Sequence, residues 1–333
     1  MNVQDKKIDS LNLELTLGIE AADYAEIEKK KLADCRRRAD FKGFRKGMVP
    51  ASMIKRVYGE QCLAEAVNHC ISEGLEKYIT DNKLHILGEP LSSKNQPELQ
   101  WVSGNDFTFV FDIALSPEVN VEVEANDEIP SYNVTVTAKD KAPMIESMKK
   151  YYEEKKDENA EPKTDEEIES EVTERLKSEY KSEAEWRLSK DIRDFYVKKA
   201  DLKLPEDFLK RWLMSANEGK VTEEQLEKEF PAFCEDFKWQ LVRGYLMKKW
   251  DFKVEQKDLE EAAEAFVAYQ YAMYGLGNVP QDMIKEASVN VLQDQKQVER
   301  LAEQVEDQKV LAKIKETATI KATKISAAKF REL

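Results

Sequence analysis

Two stretches of the chain alternate between apolar and polar side chains, which is the pattern of a β-strand with one buried face. Apolar residues occupy every second position from Leu11 to Ile19 and again from Phe107 to Leu115. Between them, apolar residues at helical spacing predict one helix over Ala21–Arg38 and, after short helical segments, a second that contains Leu63–Tyr78. Residues 1–117 therefore predict one α+β domain.

The chain changes character over residues 118–163. An extended connector contains a short predicted strand at Tyr132–Val136, and a predicted helix around Met144–Tyr152 leads into the segment EEKKDENAEPKTDEE. A segment of this composition is typical of a polar linker, because it has too few apolar side chains to bury.

A mostly α-helical domain is predicted from residue 164 to residue 333. Thr164-x-x-Glu167 is a capping-box signature, and it opens a long helix in which apolar residues recur at every fourth position from Ile168 to Tyr196. Because an α-helix has 3.6 residues per turn, this repeat winds around the helix. The helix must therefore contact different neighbours along its length, as in an elongated domain.

Four further helices follow in the sequence. Their predicted first residues are Pro205, Thr222, Gln256 and Pro280. The last carries apolar residues from Ile284 to Val305 with an interruption at Asp294, which favours packing within the chain over a coiled coil. The tail from Ala318, rich in Ala, Lys and Thr, is predicted to be frayed.

The charge of the chain is unevenly distributed. Lys29–Arg56 contains eleven Lys and Arg against two acidic residues, Asp34 and Asp40. This window carries +9 and the rest of the chain carries −23, since the total is −14. The net charge argues against general affinity for nucleic acid, whereas the basic segment on an acidic chain predicts docking on one anionic surface.

Cysteine usage and hydropathy favour a reducing cytoplasm. The four cysteines show no metal-binding spacing, and Cys62 and Cys70 are expected to lie about 12 Å apart on one helix, too far for a disulfide. Cys70 shares the apolar face of that helix and is predicted to be a core residue. No apolar stretch approaches the roughly 18 residues of a membrane span, and the N-terminus lacks the apolar core of a signal peptide.

The sequence offers no catalytic motif. His69 and His85 are the two histidines, and neither has a nucleophile or carboxylate arrangement nearby beyond what composition provides. No Walker loop, GxGxxG or HExxH motif is present. The expectation is a protein with no catalytic residues, no metal and no cofactor, which is not an enzyme.

The segment FKGFRKGMVP at residues 41–50 has an unusual composition for a loop. Gly43 and Gly47 allow backbone angles that other residues avoid, so the tip Phe44-Arg45-Lys46 can project. An exposed Phe44 would be an interface anchor, and the two cations suit phosphate or carboxylate. By residue types alone, an ordinary loop with Phe44 tucked into the core explains the pattern equally well.

GFRKGMVP followed by MIKRVYGEQ resembles the ribosome-binding signature of bacterial trigger factor, a chaperone family. The segments ILGEPL and FTFVFDIALSPEV and the downstream helices also occur in the order of that family. The resemblance implies that Phe44, Arg45 and Lys46 contact a ribosomal protein and rRNA at the tunnel exit, with Gly43 and Gly47 shaping the loop. Met48 stands where the family usually has lysine.

The resemblance further implies an ATP-independent chaperone of the cytoplasm. Its partners would be the large ribosomal subunit and unfolded or nascent polypeptides, with no membrane partner and with a homodimer when free. Family members usually carry an inserted prolyl-isomerase domain, but the segment between Glu154 and Thr164 is far shorter than a domain. Isomerase activity is therefore not expected.

The segment AFVAYQYAMYGLGNVP is the predicted tip of a helical arm. Its large apolar side chains cover more than one helical face, so some should be exposed for client contact. The candidates are Tyr269, Tyr271, Met273 and Tyr274, and Phe266 is at least as well explained by packing between helices. Two alternatives remain at this point, namely a non-ribosomal helical adaptor and a prolyl isomerase of unconventional construction.

Overall fold

The computed structural model describes residues 1–154, 164–217 and 219–333. The strands in this part of the chain are β1 (Asn2–Lys7), β2 (Asn12–Ile19), β3 (Leu91–Ser92), β4 (Phe107–Ala114), β5 (Glu128–Thr135) and β6 (Thr319–Ser326). The helices are α1 (Ala21–Arg38), α2 (Ala51–Asp81), α3 (Ala138–Glu154), α4 (Asp165–Ala200), α5 (Glu206–Ala216), α6 (Glu223–Lys249), α7 (Gln256–Met273), α8 (Gln281–Val291), α9 (Gln295–Thr317) and α10 (Ala327–Phe330). The predicted polar linker after α3 lies largely outside the described residues.

The described residues form two compact units. The first comprises Met1–Glu118 with Lys203–Cys234, and the second comprises Val119–Leu202 with Glu235–Leu333. The first unit contains a sheet with two long helices and the second is predominantly helical, which confirms the predicted fold class. The segment Lys203–Cys234 belongs to the first unit, although it follows the capping box at Thr164 along the chain.

The sheet of the first unit is antiparallel throughout, with strand order β1-β2-β4-β3. β2 and β4 pair over their full lengths, from Asn12 opposite Ala114 to Ile19 opposite Phe107. Every second residue of β2 is buried, which confirms the predicted alternation. β1 was not predicted, because all six of its residues are exposed and they leave no periodic signal.

Helices α1 and α2 cover one face of this sheet. α1 begins and ends as predicted, whereas α2 is one helix of 31 residues where the sequence predicted short segments before a longer one. Cys70 is buried in the core they form, as predicted. The fully or nearly fully buried residues of this core are Leu17, Ile19, Tyr24, Leu63, Ala66, Val67, Cys70, Phe107 and Phe109.

Helix α5 packs against the same unit. Arg211 donates from Nη1 to the Asp112 carboxylate at 2.5 Å and from Nη2 to the Ser92 carbonyl at 2.8 Å. The Trp212 ring lies against Gly88, where a β-carbon would come within 2.9 Å of it. These contacts explain why a helix from the second half of the sequence belongs to the first unit.

Helix α4 organises the second unit. The predicted capping box is present, since Thr164 Oγ1 accepts from the Glu167 amide and the Glu167 carboxylate accepts from the Thr164 amide. The first half of α4 packs on α3, β5 and α10, and the second half packs on α6 and α9. The winding four-residue repeat therefore does contact different neighbours along the helix.

The prediction of a frayed tail was wrong. β6 pairs in parallel with β5 from Glu128 opposite Thr319 to Thr135 opposite Ser326, and α10 buries Phe330 behind it. The alternation of β6 is weak because most of its side chains are exposed. At the predicted interruption, the Asp294 carboxylate accepts from the Lys296 amide at 2.9 Å, so α8 ends and α9 begins there.

Candidate functional site

The segment Phe41–Met48, which we call the docking loop, consists of two consecutive turns of the same kind. The Phe44 amide donates to the Phe41 carbonyl at 3.0 Å, and the Met48 amide donates to the Arg45 carbonyl at 2.9 Å. Each turn has glycine at its third position, with φ of 95° at Gly43 and 81° at Gly47. A positive φ at this position is what a type II turn requires, so the glycines hold the shape of the loop.

The two ends of the docking loop are anchored in a small apolar cluster between α1 and α2. Val49 is fully buried, with Ala39 and Ile54 beside it. Phe41 packs edge-on against Tyr58, with ring centroids 6.3 Å apart. Because both ends are fixed in this way, the loop can project its tip without unfolding the helices.

The tip of the docking loop is accessible to solvent. Phe44 exposes 40% of its surface and Met48 exposes 67%. Arg45 and Lys46 are exposed, and neither forms an ion pair or side-chain hydrogen bond with any residue in the described part of the chain. An exposed aromatic ring beside two unpaired cations can bind an anionic partner favourably, because the ring is buried on contact and the cations acquire charged partners.

Most of the positive charge around the docking loop is unneutralised. Three of the eleven cations between residues 29 and 56 form ion pairs within the described chain, namely Lys29 with Glu26, Lys31 with Glu65 and Arg37 with Asp34. The bonds with Arg37 and Lys31 hold the pKa of Asp34 and Glu65 below their ordinary values. These acids are exposed and solvent-screened, so the basic character of the surface persists.

The predicted arm tip comprises the last turns of α7 and the turn that joins α7 to α8. Tyr269, Met273 and Tyr274 expose 64%, 71% and 83% of their surface, whereas Tyr271 is only partly exposed. Phe266 is partly buried, beside the buried Val267. The end of α7 and the turn after it therefore present two aromatic rings and a flexible thioether to solvent.

A groove in the first unit was not predicted from the sequence. It encloses about 860 Å³ and is lined by Leu91, Ser92, Lys210, Arg211, Met214, Ser215, Glu223, Glu224, Leu226 and Glu227. These residues come from β3 and, more than one hundred positions later in the sequence, from α5 and the start of α6. No local motif could have revealed the groove, and its mixed charges define no single ligand.

The described part of the chain offers no arrangement for metal or nucleophilic chemistry. No group of three His, Cys, Asp or Glu side chains there could hold a metal ion. His69 is exposed beside Glu73, and Cys70 lies buried on the opposite side of α2. No helix among these residues is long and apolar enough to cross a membrane.

Comparison with known proteins identifies the same family twice along the chain. Residues 1–148 match the family model described as bacterial trigger factor protein, and residues 184–333 match the model of the probable trigger factor C-terminal domain. Between them, the two models leave only residues 149–183 unmatched.

Individual relatives agree with this result. Trigger factor of Francisella tularensis subsp. novicida is 29% identical over 152 residues, which are 46% of this chain and 34% of the relative. Trigger factor of Haemophilus ducreyi is 27% identical over 150 residues, or 45% of this chain and 34% of the relative. The matched region thus spans about a third of the length of the curated relatives.

A solved structure shares the fold. It comes from a study titled "Promiscuous Substrate Recognition in Folding and Assembly Activities of the Trigger Factor Chaperone" and superimposes with a TM-score of 0.53 at 15% identity. The superposition covers 94% of this chain and 99% of the solved one. Since both family models match in the expected order and the fold agrees, the chain belongs to the trigger factor family.

Proposed function

We propose that this chain is an ATP-independent chaperone that docks on the large ribosomal subunit and holds unfolded polypeptide as it emerges. The observation that carries the proposal is the docking loop, with Phe44 exposed and with Arg45 and Lys46 unpaired among the described residues. The tip residues are the proposed contacts with a tunnel-exit protein and rRNA. Gly43 and Gly47 are proposed to hold the loop in its docking shape.

Charge asymmetry supports an oriented encounter with the ribosome. The segment from residue 29 to residue 56 carries +9 on a chain whose total is −14. An rRNA surface attracts this segment and repels the rest of the chain, so the docking loop arrives first. Because contacts with phosphates release counterions, the affinity should fall as salt concentration rises.

The exposed side chains at the end of α7 and in the turn after it are proposed to contact clients. Tyrosine offers an apolar ring with a polar end, and methionine adapts its shape to different partners. Tyr269, Met273 and Tyr274 are the most accessible of the candidates, and Tyr271 would contribute the exposed part of its ring. A surface of this kind binds many apolar sequences weakly, which allows release without a nucleotide cycle.

Catalysis forms no part of the proposal. Residues 149–183 lie between the two family matches and are fewer than the roughly 50 residues of a small domain, which leaves no room there for an inserted isomerase. We propose a non-enzymatic protein of the cytoplasm that needs no cofactor. Self-association of the free protein belongs to the same proposal.

The decisive experiment is salt-dependent co-sedimentation with large ribosomal subunits. The intact chain should sediment with subunits at low salt, and the triple variant Phe44→Ala/Arg45→Ala/Lys46→Ala should remain in the supernatant. In parallel, the intact chain should suppress aggregation of a denatured client at stoichiometric ratio. If the chain sediments with ribosomal subunits but does not suppress client aggregation, the protein binds ribosomes without acting as a chaperone.

Two other outcomes would favour different functions. Unchanged sedimentation of the triple variant would favour an adaptor that uses another surface. Acceleration of proline isomerisation above the buffer rate, in a protease-coupled peptide assay, would identify an isomerase of unconventional construction.

A further inference from the structure

The two cysteines nearest the docking loop lie side by side, although they are 27 positions apart in sequence. Cys35 is on the last turns of α1 and Cys62 is on α2, and their sulfur atoms are 3.5 Å apart. A disulfide bond has a sulfur–sulfur distance of about 2.0 Å, so the two atoms need to approach by roughly 1.5 Å. We propose that Cys35 and Cys62 form a redox-sensitive dithiol, which small disulfides of the glutathione class convert to an intramolecular disulfide.

The surroundings of the two thiols give them different roles. Cys35 is partly exposed and can meet a reagent from solution, whereas Cys62 is 1% exposed. Burial, together with the hydrogen bond to Cys35, raises the pKa of the Cys62 thiol; Glu65 adds to this effect and Lys31 opposes it. Cys62 is therefore protonated at neutral pH, and Cys35 is the thiol that reacts first.

The reaction is a two-step thiol–disulfide exchange. The Cys35 thiolate attacks one sulfur of the small disulfide, forms a mixed disulfide and releases one small thiolate. Cys62 gives up its proton to the released small thiolate or to water and, as the thiolate, attacks Cys35 Sγ, which breaks the mixed disulfide and releases the second small thiolate. The two protons of the cysteines end on the two small thiols, and two electrons pass from the protein to the small disulfide.

The position of this pair links it to the docking loop. Cys35 packs in the apolar cluster of Val49 and Ile54 that anchors the loop, and the Ala39 amide donates to the Cys35 carbonyl at 2.8 Å. A bond between Cys35 and Cys62 joins α1 to α2 directly beneath the loop and encloses Phe41–Met48 in a covalent ring. The loop should consequently open less often in the oxidised protein.

The test uses the full chain and oxidised glutathione as the reagent. Reduced protein should show four thiols after denaturation, and oxidised protein should show two, with a peptide that joins Cys35 to Cys62 and is released by reductant. Cys70→Ala/Cys234→Ala should still lose its two remaining thiols. The proposal would be wrong if all four thiols stayed unreacted, or if the product were a stable mixed disulfide of glutathione with Cys35.

A second measurement tests the link to the loop. Trypsin cleaves after Lys42, Arg45 and Lys46, and this cleavage should be several-fold slower in oxidised protein than in reduced protein, relative to other sites in the same digest. In Cys35→Ser the reagent should change neither the thiol count nor the cleavage rate. Equal cleavage of the oxidised and reduced chains would refute the link. Neither measurement involves ribosomes, so the result is independent of the proposed docking.

Discussion

The Arg36 side chain donates a hydrogen bond from Nε to the carbonyl oxygen of Val49 at 2.8 Å. This bond connects the end of α1 to the residue that follows the docking loop. Val49 is fully buried, so water cannot easily replace the guanidinium as a partner for its carbonyl. Arg36, although itself exposed, therefore has a structural role that most other cations of this segment lack.

Arg36→Met should lower the free energy of unfolding of the first unit by about 1–2 kcal/mol, because the Val49 carbonyl loses its partner. Ribosome co-sedimentation should weaken along with stability. Arg37→Met is the matched control, since it removes the same charge from a side chain that is 76% exposed and that pairs with Asp34 alone among the described residues. The control should change stability by no more than about 0.5 kcal/mol. Equal losses in denaturant titrations of the two variants would contradict the role of Arg36.

Met48→Lys should strengthen docking. Met48 is 67% exposed on the docking loop, so a lysine there can reach a phosphate without displacing core residues. The slope of log affinity against log salt should steepen by about 0.7–0.9, which corresponds to one additional phosphate contact. Met283→Lys introduces the same charge at another exposed methionine, outside the docking loop, and should leave the slope unchanged. If the slope changed equally in both variants, the net charge of the protein, and not a local phosphate contact, would explain the effect.

Met273→Ser/Tyr274→Ser should weaken the affinity for an unfolded client by about tenfold, equivalent to about 1.4 kcal/mol. The two side chains are among the most exposed apolar groups of the second unit, so their loss should not destabilise the fold. Suppression of client aggregation should decline accordingly, with ribosome sedimentation intact. Val102→Ser alters an exposed apolar residue of the first unit and should leave suppression unchanged. Full activity of the double variant would show that these two side chains are not part of the client surface.

Gly88→Ala should destabilise the first unit by about 2 kcal/mol. Gly88 has a φ of 70°, which costs other residues about 1–2 kcal/mol, and the new β-carbon would lie 2.9 Å from the Trp212 ring. Gly244→Ala makes the same change inside α6, where a β-carbon has open space, and should stabilise the protein by about 0.5–1 kcal/mol. Opposite shifts in the thermal midpoints of the two variants are the expected result, and two shifts of the same sign would refute the packing argument.

The stability of the second unit should decline in acid through Asp127. This buried carboxylate accepts from Tyr196 Oη at 2.9 Å and from Lys199 Nζ at 2.6 Å. Desolvation alone would raise its pKa, but these bonds and the Glu124 amide outweigh it and hold the pKa below the ordinary 3.8. Because the folded state favours the ionised form, this contribution is complete above pH 3.8 and disappears as the pH falls through the folded-state value.

Asp127→Asn should therefore cost about 2 kcal/mol at pH 7, and the difference from the intact chain should shrink as the pH falls below about 4. Urea titrations across this range measure the effect. Asp251→Asn is the control, because Asp251 is 88% exposed and asparagine tolerates its positive φ of 52°. If the loss of unfolding free energy in Asp127→Asn were the same at every pH, the packing of the side chain, and not its charge, would explain its role.

Local patterns in the sequence predicted much of the first unit. The alternation from Leu11 to Ile19 became β2, and α1 has the predicted bounds Ala21–Arg38. Gly43 and Gly47 were identified from residue type, and both adopt positive φ. These features could be predicted because each depends on residues that are close together along the chain.

Features with long-range partners could not be predicted in this way. β6 pairs with a strand nearly two hundred positions earlier, and its exposed side chains give no alternation to detect. The residue types around Phe44 allowed both an exposed and a buried ring, and its 40% exposure depends on how Phe41 and Val49 are anchored. Cys62 and Cys70 lie on the same helix and form no disulfide, and the contact of Cys62 with Cys35 on α1 leaves no local signal in the sequence.

The sequence by itself determined most of the helices, the capping box at Thr164, the strands that alternate, the glycines of the docking loop and the uneven charge, because backbone preference and periodicity act over a few residues. Tertiary structure alone decided that Cys35 meets Cys62, that Arg36 is bound to Val49 while Arg45 stays free of ion pairs within the described chain, and that the C-terminal strand is ordered. Those outcomes depend on which surfaces, distant in sequence, are buried together. The free energy of that burial comes from several segments at once, so a pattern within one short segment does not reveal it.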